Sequence, residues 1–232
     1  MSDARRMTAG QLEQIRAVVF DFDGTLAETE IDFAEMRRRT VEHIKSWGLW
    51  EEGMDRDRYV LELIDHAAAK LASGNGAVDE YRREAAQILE DVEMLTCPGA
   101  RPYPGIQEML NALRTRGLRV GIVTRNCRRG VRAVTENHHL HHDVLLTRDD
   151  VARVKPDPEH LLLALARLEV EPSGALMVGD HITDIQVGKA ARTFTCGVLT
   201  ARTEREAFIT AGADLILDSA ADLVHIICIA DN

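Results

Sequence analysis

Cysteine, basic charge and long apolar runs are all scarce in this chain of 232 residues. Its cysteines show no Cys-x-x-Cys spacing, which fits reduced, mostly buried thiols better than a disulfide framework or a zinc–thiolate site. The longest nearly apolar stretch, 223–230, is far shorter than the roughly 20 residues that cross a bilayer, so we expect no membrane helix. The four cysteines are Cys97, Cys127, Cys196 and Cys228.

The first residues also lack an apolar run followed by a small-residue cleavage site, so we expect a cytoplasmic protein. The 28 basic residues face 38 acidic ones, and a net charge of −10 repels polyanions, which argues against nucleic acid as a partner. The 45% hydrophobic content is that of a globular protein, and the length allows one domain with an insertion or two small domains. The sequence leaves open whether the protein is a monomer or a homodimer.

The order of the predicted elements divides the chain. An apolar run at 16–22 predicts a strand, and three stretches with apolar residues at helical spacing follow it, at 33–47, 60–71 and 81–95. From residue 104 onward, amphipathic helices alternate with apolar strands. The predicted helices there are 104–116, 128–137, 158–168 and 184–191, the predicted strands are 118–124, 144–147, 175–178 and 195–199, and one more helix, strand and helix complete the chain.

Continuous apolar strands have no face left for water, so their alternation with helices indicates a parallel sheet covered on both sides. We therefore predict an α/β fold with a helical insertion after the first strand. The predicted core is 1–26 and 100–232, and the predicted small all-α domain is 27–99.

Two aspartates end the first strand. Side chains two apart in a strand point the same way, so Asp21 and Asp23 project together at the carboxyl edge of the sheet, where ligands of parallel sheets bind. Two carboxylates this close repel each other and imply a divalent cation or a shared proton. The alternative is that one aspartate caps the turn while the other is solvated.

Other strand ends carry complementary groups. Thr124 ends the second long strand and precedes the donors Arg125 and Asn126, while Lys155 follows the third. Carboxylates without a histidine or cysteine cluster suit a hard ion such as Mg²⁺. A carboxylate nucleophile, an acid, a metal, a lysine and a hydroxyl are the groups that phosphoryl transfer through an aspartyl-phosphate requires. The fourth strand is followed by Asp180, with Asp184 one helical turn further on.

Four segments in this order resemble the motifs of the haloacid dehalogenase superfamily: 21–26 (DFDGTL), 123–124 (VT), 154–158 (VKPDP) and 178–184 (VGDHITD). The helical insertion is similar to the cap of the phosphoglycolate-phosphatase-like branch, whose core is a Rossmann-like sheet. Departures from the family pattern are Arg125, where Asn is commoner, and Arg192, where Gly is frequent.

This resemblance implies a role for each matching residue. Asp21 attacks phosphorus, and Asp23 protonates the leaving oxygen and then activates water. The implied catalytic residues are Asp21, Asp23, Thr124 and Lys155; the implied phosphate-binding residues are Gly24, Thr25, Thr124, Arg125, Asn126 and Lys155; the implied Mg²⁺ ligands are Asp21, Asp23 through its backbone carbonyl, Asp180 and Asp184.

Several functions remain compatible with this resemblance. The first is a Mg²⁺-dependent phosphatase of a small phosphorylated metabolite, such as a phosphoglycolate-like acid or a sugar phosphate, because dehalogenases of the superfamily lack the acid at Asp23. The second is a phosphomutase of the β-phosphoglucomutase type. The third is a non-catalytic phospho-binding or regulatory module.

Three further features have plainer interpretations. The arginines at 37–39 could reach a substrate anion but fit a solvated helix face. His181 could touch the leaving group because it follows Asp180. A histidine cluster invites a metal interpretation, yet its position between a helix and a strand favours exposure or local packing; it consists of His138, His139, His141 and His142.

Overall fold

The computed structural model describes residues 7–54, 58–71, 77–200 and 203–229, with the side chains of 227–229, and so that of Cys228, outside the description. The chain divides into two compact units. One combines Met1–Thr29 with Gly99–Asn232, and the other is Glu30–Pro98.

The first unit contains the main sheet. Six parallel strands lie in the order β5-β4-β1-β6-β7-β8, and β2 pairs antiparallel with β3 in a separate ribbon. The predicted α/β fold with a parallel sheet is confirmed. The strands are β1 (Ala17–Phe20), β2 (Ala27–Glu28), β3 (Arg101–Pro102), β4 (Arg119–Val123), β5 (Val144–Leu146), β6 (Ala175–Gly179), β7 (Phe194–Val198) and β8 (Leu215–Leu217).

One set of helices covers this sheet, and a second set, α2 to α4, forms the second unit. Within the described residues the α-helices are α1 (Ala9–Glu13), α2 (Phe33–Ser46), α3 (Val60–Ala68), α4 (Ala77–Thr96), α5 (Ile106–Thr115), α6 (Arg128–Asn137), α7 (Pro158–Leu168), α8 (Ile182–Ala191), α9 (Arg205–Thr210) and α10 (Leu223–Ile229). Short 3₁₀ turns lie at Cys97–Gly99, Arg148–Asp150, Pro172–Gly174 and Ala220–Asp222.

Alternate residues of β1 face opposite sides of the sheet. Val18 and Phe20 join a core cluster that includes residues of α5 and α6. Ala17 and Val19 join a second cluster that includes residues of α7 and α8. All four side chains are fully buried. Because both faces are covered by helices, the strand has no face left for water, which explains its continuous apolar sequence.

The second unit, Glu30–Pro98, has an apolar core of its own between α2, α3 and α4. His43 stacks on Tyr81 with 4.9 Å between the ring centroids, and Trp47 packs edge-on against Tyr81. Phe33 and Leu95, which the helical spacing grouped with the apolar faces, are instead 61% and 70% exposed. Both lie in terminal turns of their helices, beyond the buried stripe.

The arginines at 37–39 and the histidine cluster make local contacts. Arg38 and Arg39 pair with Glu35 on the same helix. The ring nitrogens of His138 and His142 donate to the carbonyls of Ala100 and Leu140, as the local-packing interpretation predicts. Within the described residues, no helix is both long and apolar enough to cross a membrane.

Gly197 lets β7 approach α9 closely. A Cβ at this position would lie 2.6 Å from the Cγ and Cδ1 atoms of Phe208, whose ring is fully buried. A Cβ at Gly99 would meet no atom within 4 Å. Alanine substitutions at the two positions therefore separate the effect of a clash with Phe208 from the general effect of replacing glycine by alanine.

We predict that Gly197→Ala lowers the free energy of unfolding by about 1–3 kcal/mol, because the Phe208 ring must leave its position in a packed core. The control, Gly99→Ala, should stay within about 0.5 kcal/mol of the unchanged chain. Urea denaturation measures both. Equal stability of the two variants would show that β7 and α9 are not packed this tightly.

Candidate active site

Three neighbouring strands place polar side chains at one edge of the sheet. β1 lies between β4 and β6, and all three run parallel. Asp21 follows β1, Thr124 follows β4 and Asp180 follows β6. Since the carboxyl ends of parallel strands share an edge, these side chains converge there. Lys155, which precedes α7, reaches the same place.

A group of three carboxylates occupies this edge. Asp21, Asp180 and Asp184 each offer an oxygen within 4.8 Å of the others. Burial raises the pKa of both Asp180 and Asp184, and the nearby Asp21 charge raises both further. Three oxygen donors in a partly dehydrated pocket suit a hard divalent cation such as Mg²⁺. The donor set therefore fits the metal that the sequence implies.

Lys155 supplies the positive charge inside this group. Its Nζ lies 2.8 Å from Asp21 Oδ1 and 2.7 Å from Asp184 Oδ1, and its side chain is only 1% exposed. Burial alone would lower the pKa of Lys155, but the carboxylates of Asp184 and Asp21 outweigh burial and raise it. The ammonium is therefore charged and fixed between two aspartates.

Asp23 has a separate network. Its Oδ1 accepts hydrogen bonds from the Thr29 hydroxyl and from Asn126 Nδ2, both at 2.8 Å. Its Oδ2 accepts from the Thr124 hydroxyl at 3.2 Å. The sequence singled out Thr124 and Asn126 for phosphate, whereas these contacts join both to Asp23. Thr29 carries no sequence signal of its own, apart from its place six residues after Asp23.

The loop after β1 shapes the position of Asp180. The Thr25 hydroxyl donates to Asp180 Oδ1 at 2.9 Å and accepts from the Asp180 backbone N–H at 3.0 Å. Gly24 has a φ of 77°, and a Cβ there would lie 2.6 Å from Asp180 Oδ2. Thus the loop that the resemblance assigns to phosphate also orients a carboxylate. The phosphate contacts of Gly24 and Thr25 stay predictions.

Arg125 and His181 follow two of these strands. Arg125 is half-buried, and its carbonyl accepts from Arg148 Nη1 at 3.1 Å. His181 caps α8, with its Nδ1 accepting from the Thr183 backbone N–H at 3.2 Å. Burial lowers the pKa of His181, and the charge of Arg125 lowers it further. His181 is thus a neutral helix cap near the site, and Arg125 adds positive charge beside it.

Comparison with protein families identifies the family of this chain. A family model for haloacid dehalogenase-like hydrolases matches residues 18–198, which include every one of these groups. The chain belongs to the haloacid dehalogenase-like hydrolase family. The resemblance that the four motifs carry is therefore confirmed, and the matched range includes the helical segment between the first two motifs.

The chain is also similar to two curated proteins and to one solved structure. The chain is 33% identical to N-acetylmuramic acid 6-phosphate phosphatase of Pseudomonas aeruginosa, covering 92% of this chain and 95% of the relative. It is 30% identical to phosphoglycolate phosphatase of Nitrosospira multiformis, covering 76% and 80%. The crystal structure of CbbY from Rhodobacter sphaeroides with phosphate matches with a TM-score of 0.62 and 25% identity, covering 90% of this chain and 96% of that one.

A buried histidine lies on α7, the helix that follows Lys155 in the chain. His160, on α7, is fully buried, and neither ring nitrogen has a hydrogen-bond partner among the described residues. Burial lowers the pKa of His160 to about 4, and the charge of Lys155 contributes. The Leu146 carbonyl opposes this shift without forming a well-aligned hydrogen bond. The imidazole is therefore neutral at pH 7.

We predict that His160→Leu makes the chain less sensitive to acid. Below the ordinary histidine pKa of 6.5, the unfolded chain takes up a proton that the folded chain refuses, so folding stability falls as pH drops from about 6.5 to 4. Each pH unit in that window contributes up to about 1.4 kcal/mol. The comparison is the free energy of unfolding at pH 7 and pH 4.5, with the exposed His139→Asn as control. If all three chains lose equal stability, His160 is not responsible.

Proposed function

We propose that this chain is a Mg²⁺-dependent phosphatase that hydrolyses a small phosphorylated metabolite through a phosphorylated Asp21. The observation that carries the proposal is the placement of Asp23, two residues after Asp21, where Thr29, Thr124 and Asn126 donate hydrogen bonds to its carboxylate. A nucleophile and a separate acid–base group are what ester hydrolysis needs and halide displacement does not. Both curated relatives described above are named as phosphatases.

The first step uses both aspartates. An oxygen of Asp21 attacks phosphorus, the ester P–O bond breaks, and Asp23 gives its proton to the leaving oxygen. In the second step Asp23 takes a proton from water, the water oxygen attacks phosphorus, and the bond to Asp21 breaks. Free phosphate leaves, and both carboxylates return to their starting state.

The buried ammonium supports this assignment of the nucleophile. Lys155 Nζ and the Phe22 backbone N–H both contact Asp21 Oδ1, at 2.8 and 2.6 Å, so the carboxylate cannot rotate freely. A fixed nucleophile avoids the entropic cost of orientation during attack. Lys155 would also offset the charge of an incoming phosphoryl group, together with the half-buried Arg125 and the Thr124 hydroxyl.

Asp21, Asp180 and Asp184 would hold Mg²⁺, and the backbone carbonyl of Asp23 is the further ligand that the family resemblance implies. A bound Mg²⁺ supplies positive charge against the transferring phosphoryl oxygens. Thr25 and Gly24 support this site, because their contacts with Asp180 fix one of the three donors.

We place the substrate among small phosphate monoesters in the cytoplasm. The two relatives act, by their names, on an amino-sugar phosphate and on phosphoglycolate, so the shared feature is a phosphate ester on a small polar metabolite. The insertion between the first two motifs, Glu30–Pro98 in the structure, is the proposed cap that selects among such esters.

Product analysis separates this proposal from its rivals. A phosphatase releases inorganic phosphate in step with substrate loss, and only when Mg²⁺ is present. An isomerised ester with little free phosphate would instead identify a phosphomutase. A binding or regulatory module would turn over neither substrate class.

We predict that Asp21→Asn abolishes turnover of every phosphate ester, because the nucleophile is lost. Asp23→Asn should lower kcat/KM for an alkyl phosphate by about 10²–10⁴-fold. It should lower kcat/KM for 4-nitrophenyl phosphate much less, since nitrophenolate leaves without a proton. Thr124→Ala should be milder than either on the alkyl ester.

Steady-state kinetics with both esters and a Mg²⁺ titration provide the measurement. The Mg²⁺ concentration for half-maximal rate should change little in Asp23→Asn, because the Asp23 carboxylate lies outside the metal-binding group. Asp218→Asn, on a side chain that is 86% exposed, is the matched control and should behave as the unchanged chain. Full activity of Asp21→Asn would overturn the proposal.

A further inference from the structure

Asn126 is buried and held at both ends of its side-chain amide. Only 2% of the residue is exposed. Its Oδ1 accepts from the Cys127 backbone N–H at 2.7 Å, and its Nδ2 donates to Asp23 Oδ1 at 2.8 Å. A backbone N–H can only donate, so the carbonyl end of the amide must face Cys127. The NH₂ end must then face Asp23.

This fixed amide imposes a direction on the hydrogen bond to Asp23. An amide NH₂ cannot accept, so Asp23 Oδ1 must accept from it, and this obligatory donor makes Oδ1 the less favourable oxygen to carry a proton. The Thr29 hydroxyl contacts the same oxygen at 2.8 Å. Oδ2 instead contacts the Thr124 hydroxyl, at 3.2 Å, which can either donate or accept. The two oxygens of Asp23 therefore have unequal surroundings.

We propose that Asn126 is a positioning residue that anchors Oδ1 of Asp23 and leaves Oδ2 to exchange the proton. In the first step the Oδ2–H bond breaks, and its proton joins the leaving oxygen as that oxygen takes the electron pair of the ester P–O bond. In the second step a water proton returns to Oδ2. This inference rests on the proposed role of Asp23, and it gives the side chain of Asn126 a task other than the phosphate contact expected from sequence.

A positioning role predicts a loss that depends on the leaving group. A misplaced proton donor slows departure of an alkoxide, but it barely affects departure of a nitrophenolate. A general defect in folding or phosphate binding would instead slow both esters equally. The ratio of kcat/KM for an alkyl phosphate to kcat/KM for 4-nitrophenyl phosphate therefore isolates the function of Asn126.

The test compares Asn126→Asp, Asn126→Ser, Asp23→Asn and the unchanged chain in saturating Mg²⁺. Both Asn126 variants remove the obligatory donor, while their side-chain oxygen can still accept from Cys127. We expect the ratio to fall about tenfold or more in each, part of the span that general acid catalysis contributes. Asn137→Asp, at an exposed asparagine that ends α6, is the matched control and should keep the ratio unchanged.

The variants separate the two roles. A lowered ratio in Asp23→Asn but an unchanged ratio in the Asn126 variants would overturn the positioning role and leave the proposed function intact. An unchanged ratio in Asp23→Asn would overturn the acid–base role of Asp23, on which both proposals rest. If Asn126→Asp unfolds below the assay temperature, the ratio measured for Asn126→Ser decides between these outcomes, because serine introduces no second carboxylate beside Asp23.

Discussion

The ion contacts of one buried lysine hold the site together. Moving an ammonium out of water costs several kcal/mol, and the contacts of Lys155 with Asp21 and Asp184, at 2.8 and 2.7 Å, offset that cost. Those two aspartates lie on different elements, one after β1 and the other within α8. A single ammonium therefore ties the central strand, the segment before α7 and the start of α8 into one arrangement.

That ammonium does not balance the charge completely. Asp21 and Asp184 contact it, and Asp180 offers an oxygen within 4.8 Å of theirs. Burial together with the neighbouring Asp21 charge raises the pKa of Asp180 and Asp184. The remaining negative charge must be balanced by protons or by a further cation. One pocket can therefore hold both the lysine and a divalent metal. The lysine orients the carboxylates, and their remaining charge attracts the cation.

Sequence alone predicted the parts of this molecule that depend on local pattern. The continuous apolar runs at 16–22 and 118–124 predicted two strands, and the structure has β1 and β4 there. A strand that is buried on both faces has a continuous apolar sequence, so these strands could be found from pattern alone. The residues that follow the strands were also found, since chemistry at strand ends is local in sequence. The ends of the predicted elements differed from the observed ones by up to four residues, since α4 begins at Ala77 and not at Tyr81. Helix and strand termini depend on contacts beyond the pattern.

The partners of those residues could not be predicted, because they are distant in sequence. Asn126 meets Asp23 across 103 residues, and Thr25 meets Asp180 across 155. An asparagine or threonine side chain can donate a hydrogen bond to a phosphate or to an aspartate carboxylate. Residue type alone therefore did not show which of the two these residues contact. The identity of His160 likewise gave no hint that its ring nitrogens lack partners among the described residues, which only the surrounding side chains decide.

At two glycines near this edge of the sheet, the backbone leaves no room for a side chain. A Cβ at Gly179 would lie 2.1 Å from Asp184 Oδ2, and one at Gly24 would lie 2.6 Å from Asp180 Oδ2. The carboxylates therefore pack directly against bare backbone, closer than any side chain would permit. Because Asp184 also accepts from Lys155 and from the His181 backbone N–H, moving it would disturb the lysine and the cap of α8 together. The close approach of backbone to carboxylate is thus a condition for the buried ion contacts, and through them for the orientation of Asp21.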